Sequence, residues 1–273
     1  MADAGYPGHP QVDDTPVRVG SILFTIVEPH KGHEVDYNRW YETDHLYAGC
    51  TVGPFNFAAR RWVATAPLKK LRHVGSGEIN DDPMVGSYLA TYWVQEGHRD
   101  DWNKWAFQEF RWLHENGRMF PHRDHVHTQL YDVAWVFHRD PDGVPAALAL
   151  DHPYRGIAVT IGTSSEGHGR AEVEEWYRRQ WLPDVVTGDS AISQVIGFTP
   201  VPLQVDAKDV DRSTGDEVRF LRIAFLDRDP AECWDEVAGE ADALAASGLG
   251  VVLWQGPFIP TIPGTTTYTD QLW

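Results

Sequence analysis

The pattern of hydrophobic and polar positions predicts the same order of elements twice along the chain. In the first half, apolar or alternating runs typical of strands occur at 17–27, 54–65, 85–94 and 126–138. Helical periodicity separates them at 32–47 and 101–116. In the second half, strands are predicted at 155–163, 192–203, 217–226 and 250–255, and helices at 169–181 and 229–248. Each half therefore has the order β-α-β-β-α-β of a ferredoxin-like sandwich.

The first helix of each half shares an aromatic motif. The pair Trp40-Tyr41 recurs as Trp176-Tyr177, and the first copy continues to a histidine at position 45. The second copy has Trp181 at the matching place. We interpret the chain as two similar modules, with chemistry in the first and packing in the second.

Turn residues at 138–153 separate the two modules as a linker. We expect domains at 17–138 and 154–258. Helices would cover one face of each sheet, and the other, also apolar, faces must then pack against each other. The predicted fold class is α+β, with two tandem ferredoxin-like repeats that form a pseudo-symmetric α/β barrel.

This topology, together with the motif Trp40-Tyr41-x-x-x-His45, resembles the dimeric α/β-barrel superfamily, in particular its fused two-repeat and EthD-like members. The proline that commonly follows the histidine in that motif is absent after His45, whereas Pro183 occupies the comparable place in the second repeat. The resemblance implies a cofactor-independent lyase, isomerase or cyclase that acts on a hydrophobic aromatic or polycyclic small molecule. Heme peroxidases and chlorite dismutase-like enzymes share the tandem architecture, so heme is an alternative.

The predicted catalytic residue is His45. A histidine with a pKa near neutrality can donate or accept a proton when it faces an apolar cavity. Tyr41 and Asp44 are its predicted supports. The predicted substrate-binding residues, expected as cavity walls, are Trp40, Trp102 and Trp105. The alternative for His45 is a structural histidine near a helix end that bonds a backbone carbonyl.

A second group of histidines suggests a metal alternative. Strand alternation predicts His125 and His127 on one face, and His122 precedes them. Two imidazoles with a nearby carboxylate could bind zinc, iron or manganese. Because no fixed ligand motif accompanies them, we predict no cofactor, with a divalent metal or heme as alternatives.

Composition narrows the possible partners. The net charge of −17 disfavours nucleic acid and anionic membranes. No apolar run approaches the roughly 20 residues of a spanning helix, and the polar start predicts a cytoplasmic protein.

The alternative functions are a non-catalytic binding protein, which the 12 tryptophans would suit, and a metal- or heme-dependent oxygenase. Exposed sheet edges would permit a homodimer.

Overall fold

The computed structural model describes residues 17–75, 79–201 and 218–273. Between two predicted strands, the sequence also predicts an acidic loop at 206–216, and this segment lies outside the described residues. The strands of the described chain are β1 (Val19–Pro29), β2 (Asn56–Val63), β3 (His73–Val74), β4 (Tyr88–Gln95), β5 (Arg123–His138), β6 (Gly156–Ser164), β7 (Ile192–Val201), β8 (Arg219–Leu226) and β9 (Gly250–Pro260). Its α-helices are α1 (Glu34–Trp40), α2 (Ala66–Lys69), α3 (Arg99–Glu115), α4 (Arg170–Trp176), α5 (Leu182–Val185), α6 (Pro230–Cys233), α7 (Asp235–Ala238) and α8 (Glu240–Ser247).

Eight of these strands close into a barrel. Their order is β2-β4-β1-β5-β7-β8-β6-β9, and β9 returns to β2 through the pairs Trp62–Pro260 and Val63–Ile259. The first four strands and the last four have the same internal connections. The short strand β3 pairs with β9 at Trp254 and Gln255. The predicted α+β fold of two tandem ferredoxin-like repeats is confirmed.

Side-chain alternation along each strand separates a barrel interior from two helix-covered outer layers. On β1, Ile22, Phe24 and Ile26 join the interior cluster, whereas Leu23 and Val27 pack under the first-repeat helices. Burial on both faces explains why this strand is an almost continuous apolar run.

The repeated Trp-Tyr motif has the same unusual geometry in both repeats. Helix α1 continues as π-helical turns at Tyr41–His45 and Tyr47–Thr51, and α4 continues as one at Tyr177–Trp181. The wider turn begins at the tyrosine of the motif each time. Because π-helical turns are rare, their matching placement supports an origin of the two halves by duplication.

Two connecting segments belong to the core. The linker places Ala149, Leu150 and Tyr154 in the interior cluster, so it fills one end of the barrel. The C-terminal segment 261–273 returns to the first repeat, where Leu272 is fully buried and its carbonyl accepts a hydrogen bond from Lys69 Nζ (3.0 Å). Within the described ranges, no helix is long and apolar enough to cross a lipid bilayer.

Candidate active site

His45 lies between the first-repeat helices and the outer face of the sheet, and only 7% of it is exposed. Its ring stacks on Trp40 with 4.4 Å between centroids and meets the Tyr41 ring edge-on at 5.1 Å. Nδ1 is buried without a hydrogen-bond partner among the described residues. Burial, followed by the nearby charge of Arg123, lowers the pKa of His45 well below its usual 6.5. The imidazole is therefore neutral at pH 7.

The structure brings Tyr41 and Asp44 onto the same helical segment but directs both of their polar groups elsewhere. The Tyr41 hydroxyl shares a hydrogen bond of 2.6 Å with the Tyr92 hydroxyl. Asp44 forms an ion pair with Arg118. A catalytic role for His45 with these two supports stays a prediction.

The three predicted cavity tryptophans pack in the same helix layer. Trp102 is fully buried in it, whereas Trp40 and Trp105 are partly buried at its edge. Trp40 Nε1 donates to the carbonyl of Arg118 (2.9 Å). Trp105 lies so close to Gly53 that a Cβ there would come within 2.2 Å of its ring. These rings lie in a different layer from the barrel interior, and their role in substrate binding also stays a prediction.

The predicted placement of His125 and His127 on one face is wrong. Val27 pairs with His125 and Ile26 with His127, so Val126 is an extra residue, a β-bulge. The bulge puts the two imidazoles on opposite faces. On the helix side, His125 Nδ1 bonds Thr128 Oγ1 (2.9 Å).

The three histidines of the metal alternative therefore do not converge. His122 stacks on His33 with 3.8 Å between ring centroids, on the surface. In the described part of the chain, no group of three or more His, Cys, Asp or Glu side chains could hold a metal ion.

His127 faces the barrel interior and forms a pair with Tyr131. Its Nε2 lies 2.8 Å from the Tyr131 hydroxyl, and its ring lies edge-on to Phe24 with 5.9 Å between centroids. Burial lowers the pKa of His127 to about 4, with a further contribution from Arg219, and burial raises the pKa of Tyr131 above its usual 10.0. Both groups are therefore neutral at pH 7, joined by a hydrogen bond that offsets the cost of burying them.

The second repeat has Trp and Phe at the equivalent positions. His127 and Tyr131 are the fifth and ninth residues of β5, and Trp254 and Phe258 are the fifth and ninth of β9. The equivalence is supported by a second bulge, because Leu253 is an extra residue immediately before Trp254. The first repeat thus has an imidazole and a phenol where the second has an indole and a phenyl ring. Comparison of the two strands, position by position, was the sequence signal that could have identified this pair.

His127 lies toward the end of the barrel opposite the linker. At the linker end of β1, Ile22 pairs with Trp93, whose Nε1 donates to the linker carbonyl of Ala146 (3.0 Å). His127 pairs with Ile26, which lies further along β1, away from the linker. It retains partial exposure, whereas Phe24 is fully buried. Among the inward-facing residues of β1 and β5 described above, His127 is the one that solvent reaches most readily.

Comparisons with known proteins support the fold. No protein-family model matches the chain, and no curated protein matches it significantly. A solved structure of a putative chlorite dismutase aligns with TM-score 0.51 and 9% identity, over 94% of this chain and all of that one (100%). A variant of DypB from Rhodococcus jostii RHA1 in complex with heme aligns with TM-score 0.51 and 11% identity, over 93% and 95% of the two chains. The chain has the fold of the dimeric α/β-barrel superfamily in its two-repeat form.

The comparisons correct the cofactor prediction. Two DypB variants that share this fold, both at TM-score 0.51, were solved in complex with heme. The prediction that no cofactor is involved is therefore wrong as an inference from the fold, because proteins with this fold hold heme, the alternative named in the sequence-based prediction.

Three histidines of the two repeats are already engaged in other contacts. A heme needs an axial ligand, such as a histidine with an accessible ring nitrogen. His168, the single histidine in residues 154–258, lies before α4 and bonds Glu172 (2.9 Å). In the first repeat, the ring of His45 is held flat between Trp40 and Gly49, and His127 Nε2 is already bonded to Tyr131.

Proposed function

We propose that the protein is an enzyme that moves protons on a hydrophobic aromatic or polycyclic small molecule, with His127 as the acid and base. The observation that supports this best is the hydrogen bond of 2.8 Å between His127 Nε2 and the Tyr131 hydroxyl on the inner face of the barrel. The equivalent positions in the second repeat are Trp254 and Phe258. A polar pair at this place serves chemistry better than packing, because the phenyl ring of Phe258 fills the equivalent place in the second repeat without a desolvation cost.

Because its pKa is about 4, the resting imidazole of His127 is a weak base, and its basicity in proton abstraction depends on the charge that the substrate develops. Neutral His127 accepts the substrate proton, and the electron pair left behind makes the substrate an anion. Arg219 lies close enough to lower the pKa of His127 and can stabilise that anion. The new negative charge in turn raises the pKa of the imidazole, which strengthens it as a base. Return of the proton to another atom completes an isomerisation in which every atom is conserved.

Exchange of 2-tetralone protons for deuterium in heavy water, measured by NMR, tests this proposal. This bicyclic ketone has acidic C–H groups next to its carbonyl. We expect the protein to accelerate exchange above the buffer rate, and His127→Gln to reduce the acceleration by about 100-fold or more. Tyr131→Phe should reduce it less, because the imidazole remains.

His45→Gln is the matched control, since it removes the other buried first-repeat imidazole. An exchange rate that is unchanged in His127→Gln but lost in His45→Gln would refute the proposal and favour the sequence-based prediction. Absence of acceleration by the unmodified protein would also contradict it.

A further inference from the structure

A cleft of about 330 Å³ lies where the first repeat meets the linker and the C-terminal segment. It is on the outside of the barrel, beside the short β2–β9 seam, and is independent of the His127 site. Its lining includes Arg60 and Arg61 of β2, together with groups from three other segments of the chain: Glu42, Leu46, Tyr47, Leu150, Asp151, Thr261 and Pro263.

Arg61 is a buried cation with unused hydrogen-bonding capacity. Its side chain is 2% exposed, and Nη1 donates both to Asn38 Oδ1 (2.7 Å) and to Glu42 Oε1 (3.2 Å). The guanidinium also lies over the Tyr41 ring, 4.5 Å from its centroid. Nη2 is buried and has no hydrogen-bond partner in the described part of the chain. Such an unpaired N–H costs about 1–3 kcal/mol, which a ligand oxygen in the cleft would recover.

Arg60 also lines the cleft, and its side chain points to the opposite face of β2 from that of Arg61. Its Nη1 donates to the linker carbonyls of Leu150 (2.8 Å) and His152 (2.6 Å), and its guanidinium lies 4.9 Å from the Trp62 ring centroid. These bonds hold the side chain in place and use one of its two terminal nitrogens. Arginine recognises carboxylates well because its planar fork offers several N–H groups in a fixed geometry.

The charges at the cleft select the ligand. Glu42 and Asp151 balance the two arginines, so the four charged side chains sum to zero. The Glu42 carboxylate is already engaged with Arg61 Nη1 and with the backbone N–H of Gly264 (2.9 Å). A monoanion therefore suits the cleft better than a phosphate dianion, which would be repelled more strongly by the carboxylates of Glu42 and Asp151.

We propose that this cleft binds a small carboxylate with an apolar body, of about the size of benzoate. The carboxylate would accept from Arg61 Nη2, and the apolar body would lie against Leu46, Leu150 and Pro263. A volume of 330 Å³ is at the lower end of small-molecule sites, consistent with a ligand of one ring. Because the lining comes from the first repeat, the linker and the C-terminal segment, occupancy would also stabilise the packing of these segments.

Calorimetric titration of the full-length protein with benzoate tests this site. We expect saturable binding, with benzamide, the uncharged analogue, and inorganic phosphate each at least tenfold weaker. Arg61→Gln should weaken benzoate binding by tenfold or more, and Arg60→Gln by a smaller factor. Arg99→Gln is the matched control, because Arg99 lines a different first-repeat cleft.

Circular dichroism establishes whether each variant is folded. If Arg61→Gln does not fold, the benzoate affinity of Arg60→Gln provides the test. Benzamide or phosphate binding as tightly as benzoate would overturn the proposal. Unchanged benzoate affinity in the folded arginine variants would also overturn it. The same holds if benzoate does not bind the unmodified protein at about 10 mM, a concentration above the Kd of even weak specific sites.

Discussion

At the residue scale, the first repeat buries two imidazoles in different layers. His45 stacks on Trp40 between helices and sheet, and His127 bonds Tyr131 inside the barrel. Burial lowers the pKa of both histidines, so the folded protein keeps both neutral at pH values where an unfolded chain would protonate them.

This difference makes stability depend on pH. The pKa of histidine is 6.5 in an unfolded chain, and burial lowers the pKa of His127 to about 4 in the folded protein. Between these two pH values, this histidine is protonated in the unfolded chain but not in the folded protein. The contribution is fully present above the unfolded pKa and is lost as the pH falls toward the folded pKa. We expect the free energy of unfolding to fall by up to about 1.4 kcal/mol per pH unit for this group.

Urea denaturation at several pH values between 6.5 and 4 measures that slope. His127→Gln should flatten it, because glutamine does not titrate. His45 remains in both proteins, so its own contribution cancels in the comparison. An equal slope in the two proteins would show that His127 titrates normally in the folded state.

At the element scale, π-helical turns and bulges decide where side chains point. The π-helical turn at Tyr41–His45 places the His45 ring against Gly49, where a Cβ would lie 2.9 Å from one ring carbon and 3.0 Å from Nδ1. The bulge at Val126 turns His127 inward. Neither feature follows from ideal helix or strand periodicity.

Gly49→Ala should therefore destabilise the protein by about 1–3 kcal/mol, since the new methyl group must displace the His45 ring. Gly239→Ala is the control, because Gly239 has φ −66° and no atom within 4 Å of the added Cβ. Thermal unfolding measures both. Similar melting temperatures for the two variants would mean that the ring of His45 moves without cost.

At the scale of the whole molecule, segments distant in sequence complete the core. The barrel closes through the short β2–β9 seam, and the C-terminal segment then crosses to the first repeat. Leu272 is fully buried there, next to Trp273, which is 43% exposed. Leu272 is thus part of the first-repeat core.

Leu272→Ala should cost about 2–5 kcal/mol, as for other fully buried leucines. Trp273→Ala should cost less than about 1 kcal/mol, because much of that side chain already contacts water. Chemical denaturation of the two variants provides the comparison. A small loss for Leu272→Ala would show that the C-terminal segment is dispensable for folding.

Local patterning was enough to predict the order of elements. The apolar run of β1, the repeated Trp-Tyr helix and the helix stop at Gly248, which has φ 75°, all depend on neighbours in sequence. The resemblance supported the prediction that the two repeats pack together into one α/β barrel. The cofactor prediction failed because it relied on the absence of a fixed ligand motif, whereas proteins with this fold hold heme.

The sequence by itself determined two β-α-β-β-α-β halves and the asymmetry of their first helices, because periodicity and propensity act over a few residues. Only the tertiary structure decided which histidine faces the barrel and which lies in the helix layer. A single extra residue, Val126, reverses the alternation of β5, and register of this kind is set by the partner strand. The clustering of Arg60 with the linker and the C-terminal segment likewise arises from packing between residues far apart in the chain.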